Sequence, residues 1–172
     1  MPQSPAPVFE AADDVSVEAP VIVILQAEGL PLGPRAAALD AAMGGIVSRA
    51  CSAPAALSEC GTCIDLVPPR AVSARRVVVL ALGKADSLTA FALAQAGGKL
   101  GAHLEDKGED EATVLLDPIE GTSLAAADIL ARVALGLRLR RYRFDLRNTK
   151  PVAAADKTWR LQLVGAEKAA MD

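Results

Sequence analysis

Residues 117–122 read DPIEGT and hold the residue types best suited to chemistry in this chain. Asp117 and Glu120 stand three positions apart around Pro118, just before Gly121 and Thr122. Two carboxylates gathered on a glycine turn are hard oxygen donors. They could ligate Mg²⁺ and leave positions for water and a phosphate. The same residues also spell a structural turn. Asp117-Pro118 would leave a strand, Thr122 or Ser123 would cap a helix, and Glu120 would favour the positive helix end.

Cys60-Gly61-Thr62-Cys63 has the spacing of a redox or metal motif. A structural zinc site needs four ligands. Here Cys51 lies upstream, and His103, the single histidine, is far away in the sequence. A redox CxxC follows a strand and opens a helix, whereas Thr62–Val67 itself reads as a strand. Three cysteines, an odd number, do not make a disulfide framework. The residues read instead as buried or half-buried thiols behaving as small hydrophobes. Gly83-Lys84 invites a phosphate-loop reading, but that motif needs a glycine where Val78 stands and a Ser or Thr where Ala85 stands.

Residues 136–150 carry Arg138, Arg140, Arg141, Arg143, Arg147 and Lys150 beside Tyr142 and Phe144. Cations interleaved with aromatics can bind nucleic acid. They also suit a helix carboxyl end, where the macrodipole favours positive charge. With Leu135, Leu137 and Leu139 needed for packing, the run reads as a solvated or interface face, and nucleic-acid binding is the weaker reading.

The elements that must position these residues alternate between strand and helix. Val21–Leu25 and the run VVVLALG (77–83) are continuously apolar and rich in β-branched residues, the pattern of strands covered on both faces. Further strands are expected near Val8-Phe9, at Thr62–Val67, where Pro68-Pro69 forbids extension, at Thr113–Leu116 and at Trp159–Val164. Helices are expected after Pro34-Arg35, ending at Gly44-Gly45, then over Ile46–Cys51, Leu88–Leu104 and Ser123 to about Arg140. Gly97-Gly98 reads as a place of tight helix packing, and the charged run 105–111 as a solvated loop. The pattern predicts an α/β fold, a three-layer α/β/α sandwich with a mixed, mostly parallel sheet.

A chain of 172 residues with 52% apolar composition can bury a real core. Aromatics are scarce at 3%, so Ala, Val, Leu and Ile must build it. A net charge of −3 argues against a general binder of nucleic acid or anionic membranes. No stretch approaches the roughly 20 apolar residues that span a bilayer. The acidic start MPQSPAPVFEAADD has no apolar signal core, so a cytoplasmic location is the default expectation.

DPIEGT resembles the metal loop of the inositol phosphatases and bacterial fructose bisphosphatases. Those sites also need an upstream acidic pair and a later aspartate. Glu109, Asp110 and Glu111 stand too close to the strand, Asp128 falls inside the next helix, and Asp145 lacks the usual context. A Mg²⁺-dependent sugar or inositol phosphatase is therefore the alternative rather than the main reading.

LDAAMGG (39–45), RRVVVLALGK (75–84), AQAGGKL (94–100) and ALGLRLRRYRFDLRNTK (134–150) occur in an order that resembles one family across roughly residues 8–165. They look like the N-terminal domain of the cytosol (leucyl) aminopeptidases, the M17-type metallopeptidases. The resemblance implies a macro-domain-like fold over residues 1–165, with 166–172 starting a linker to a catalytic domain that this sequence lacks. It further implies that the full enzyme is a homohexamer whose two divalent metals, zinc or manganese, activate water against peptide substrates. The metal-binding carboxylates, the lysine and the NTDAEGR-type motif belong to the catalytic half. The resemblance thus assigns no catalytic, cofactor-binding or metal residue to any position here. A module binding ADP-ribose or nucleic acid remains a further alternative on fold grounds.

Overall fold

Two runs of β-branched residues meet at the centre of the fold. In a computed structural model that describes residues 8–12, 19–70, 72–141 and 160–164, β2 (Val21–Gln26) pairs in parallel with β4 (Arg76–Ala81), and Val23 stands opposite Val78. On its other side β2 pairs in parallel with β5 (Glu111–Leu115), where Val23 faces Val114. Beyond β5 come β6 (Arg160–Val164) and then β1 (Val8–Ala12), both parallel. β3 (Cys63–Leu66) closes the opposite edge antiparallel to β4, placing Cys63 against Leu80. The resulting order is β1-β6-β5-β2-β4-β3, a mixed and mostly parallel sheet.

Both faces of this sheet are covered, which explains why its central strands are apolar without alternation. Val21, Val23, Leu25, Val78, Leu80 and Val114 face one helical layer. That layer consists of α3 (Ala90–Asp106) and α4 (Ala126–Arg141), contributing Leu93, Leu100, Ile129, Val133 and Leu137. Ile22, Ile24, Val77, Val79 and Leu115 face the other layer, where α1 (Pro34–Ala42) and α2 (Ile46–Cys51) supply Ala36 and Val47. Burial of each large aliphatic side chain contributes about 1.5–3 kcal/mol. The architecture is the three-layer α/β/α sandwich expected from the sequence.

α3 begins where the Thr89 hydroxyl accepts from the Ala92 amide at 3.1 Å, and its stripe Leu93, Ala96, Gly97, Leu100, Leu104 follows the helical period. Where α3 crosses α4, a Cβ on Gly97 would overlap the Val133 carbonyl, and one on Gly136 would overlap the Ala94 carbonyl. The two helices pack backbone to backbone only because both positions are glycine.

Several boundaries differ from expectation. α3 runs on to Asp106, β5 begins at Glu111, and a 3₁₀ turn at Ala85–Ser87 precedes α3. The charged loop expected over 105–111 is therefore shorter than expected: residues 105–106 close α3, 107–110 form the turn, and 111 opens β5. α4 starts at Ala126, after two bends, because Ser123 and Leu124 still belong to the turn. Trp159, expected in the last strand, lies outside the described residues. Among the described residues no helix is long and apolar enough to cross a membrane.

Candidate functional site

The chain order reverses direction across the sheet at β2, with β4 on one side and β5 on the other. In open α/β sheets, ligands bind at such a switch point, outside the carboxyl ends of the strands. Here the loop 27–33 follows β2 and the loop 116–125 follows β5. A cleft between them is lined by Leu25, Gln26, Leu30, Gly33, Asp117 and Ile119. Gln26 is buried, and its side-chain amide donates to the Ala27 carbonyl at 3.2 Å and the Leu30 carbonyl at 3.0 Å, which shapes the first loop.

Asp117 fills the inner end of this cleft and is only 8% exposed. One carboxylate oxygen accepts from the Ala36 amide at 2.9 Å. The other accepts from the Arg35 amide at 3.2 Å and from the Arg35 guanidinium at 3.4 Å. Gly33 occupies the N-cap position of α1 and offers no side chain, and Pro34 opens the helix without an amide. The cap is supplied from across the sheet, by a carboxylate at the positive end of the helix dipole. Gly33 must be glycine for this, since a Cβ there would overlap the Asp117 side chain. The space left has room for about one water molecule.

The two acids of DPIEGT therefore have different surroundings. Asp117 is buried against α1, whereas Glu120 is exposed. The Thr122 hydroxyl accepts from the Leu124 amide at 3.2 Å, so it shapes the turn ahead of α4 rather than capping the helix itself. Asp128 is exposed in the first turn of α4. Among the described residues no group of three or more His, Cys, Asp or Glu side chains is placed to hold a metal ion. The two divalent ions implied by the family resemblance find no fitting donor set among the described residues. Asp145 lies outside the described residues.

The cysteines are half-buried and divide between the two faces of the sheet. Cys51 packs with the α1/α2 layer, and Cys60 and Cys63 pack with the α3/α4 layer. The Cys60 thiol donates to the Ala92 carbonyl at 3.6 Å. Burial pushes all three thiols up, Cys63 to about 11, with the nearby Asp65 carboxylate adding to the effect. Thiols so held are protonated at neutral pH and are poor nucleophiles. The CxxC stretch leads into an edge strand and opens no helix, as its sequence suggests.

Sequence reasoning missed an ionic cluster at the amino ends of the strands. Glu109, expected in a solvated loop, is only 7% exposed. It takes the Arg75 guanidinium at 2.6 Å and lies 3.6 Å from Arg76 Nε. Arg76 also donates to Asp65 at 2.5 Å, and that hydrogen bond is the main reason its guanidinium is held above its ordinary range. His103 Nε2 stands 3.5 Å from the same Asp65 carboxylate. The cluster ties β3, β4, α3 and the turn before β5 together. The pairing of Arg75-Arg76 with an acid just ahead of another strand was its one trace in the sequence.

Of the basic run, Arg140 pairs with Glu105 of α3 at 3.3 Å, and Arg138 is exposed. Arg141 ends α4, while Tyr142, Arg143, Phe144, Arg147 and Lys150 lie outside the described residues.

Residues 21–151 match the family model described as the cytosol aminopeptidase family, N-terminal domain. A probable cytosol aminopeptidase of Agrobacterium fabrum is 35% identical over 149 residues, which cover 86% of this chain and 29% of that protein. The chain thus spans less than a third of the length of this relative. Among solved structures, a tomato leucine aminopeptidase mutant superposes with a TM-score of 0.70 at 17% identity, over 96% of this chain and 34% of that one. An Oceanobacillus iheyensis macrodomain mutant superposes with a TM-score of 0.65 at 13% identity, over 96% of this chain and 87% of that one. These structural likenesses establish a macrodomain-like fold.

Proposed function

The chain belongs to the cytosol aminopeptidase family, whose N-terminal domain it matches, and from this premise we propose that it is a non-catalytic domain of a leucyl aminopeptidase. In this reading residues 1–165 form the domain and 166–172 begin the linker. The whole enzyme removes N-terminal residues from peptides by two-metal hydrolysis, acts in the cytoplasm and assembles as a homohexamer. The zinc or manganese ions sit in a separate catalytic domain, and the present domain contributes to assembly or to access to the active site.

The observation that carries the reading is the family match over residues 21–151, which takes in most of the described residues. The state of Asp117 supports it. The best candidate metal ligand in the sequence caps α1, so the loop that looked most like an active site is part of the scaffold. The purified chain should not hydrolyse leucine p-nitroanilide, even with added Mn²⁺ or Zn²⁺. Turnover that rises with either metal and survives repurification would overturn the proposal.

A further inference from the structure

We draw no further inference here: the strongest candidate, the apolar rim of Leu88 and the 72% exposed Phe91 at the carboxyl ends of the strands, carries none because nothing in the structure shows what covers it.

Discussion

The carboxylate of Asp117 and the backbone amide of Ala36 meet at 2.9 Å although 81 positions separate them in the chain. The contact joins the loop after β5 to the first turn of α1, across the top of the central strand. Replacing Asp117 by Ala removes the cap and leaves buried amides without an acceptor. The loss should be about 1–3 kcal/mol, read as a lower midpoint in urea unfolding. Asp117→Asn keeps one acceptor oxygen but turns an NH2 toward the donors that the other oxygen served, so it should recover only part of that loss. An Asp117→Ala protein as stable as the parent would show that the contact does not hold the loop.

The crossing of α3 and α4 predicts opposite signs for neighbouring glycines. Gly97→Ala and Gly136→Ala each drive a methyl into a backbone carbonyl of the facing helix. The helices must separate, and overpacking of this kind costs about 1–3 kcal/mol or more. At Gly98 the added carbon would lie 3.9 Å from the Gly136 carbonyl, an ordinary contact. Gly98→Ala should therefore stabilise by up to about 1 kcal/mol through helix propensity. Thermal unfolding of the three variants checks the pattern, and equal effects at positions 97 and 98 would refute the close crossing.

Glu109 is the buried acid of the cluster that includes Arg75 and Arg76. Glu109→Ala leaves two guanidinium groups without their shared carboxylate. Because Arg75 is largely exposed, solvent takes over part of its hydration, and the loss should be about 1–3 kcal/mol rather than the larger cost of a fully buried pair. Glu111 is exposed, and Glu111→Gln should change stability by less than about 0.5 kcal/mol. Chemical denaturation of the two variants side by side tests the contrast.

These contacts also show what the sequence makes legible and what it does not. Val21–Leu25 and Val77–Ala81 announce central strands because a run buried on both faces has no polar member to hide. The α3 stripe is equally plain, since its period is local. The β3 strand is visible too, but its antiparallel placement at the edge is not, because direction depends on where the chain returns. Asp117 is conspicuous as an acid on a turn, yet its partner is an amide 81 positions away. No local pattern marks a backbone donor. Glu109 sits in a run of charges that resembles a solvated loop, and only the fold brings Arg75 and Arg76 over it.

The raised thiol of Cys63 gives a pH dependence with a definite sign. A thiol whose pKa rises on folding holds its proton more tightly in the native chain. The associated stability is fully present below the unfolded value of about 9 and is lost as pH rises through about 11. Cys63→Val removes the titrating group and keeps an apolar side chain of similar size. Between pH 9 and 11 the parent should lose stability faster than this variant, as measured by urea midpoints at each pH. Native thiols should also react slowly with dithionitrobenzoate at pH 8 and rapidly once the chain is unfolded. Parallel pH curves for parent and variant would contradict the assignment.

A macrodomain-like fold raises the question of nucleotide binding, and the cleft at the switch point bears on it. A phosphate at the start of α1 would need the Arg35 and Ala36 amides, and both already donate to Asp117. The remaining space has room for about one water molecule, far below the few hundred Å³ of a typical ligand site. Gly33 cannot yield more room, being already in contact with the Asp117 side chain. Binding there would require the loop after β5 to detach, at the cost of the α1 cap. Titration calorimetry with ADP-ribose should therefore show no saturable binding to the native chain up to about 1 mM, an affinity limit near 4 kcal/mol. Saturation in the micromolar range would mean that the loop opens readily, and it would favour a nucleotide-binding role for this domain.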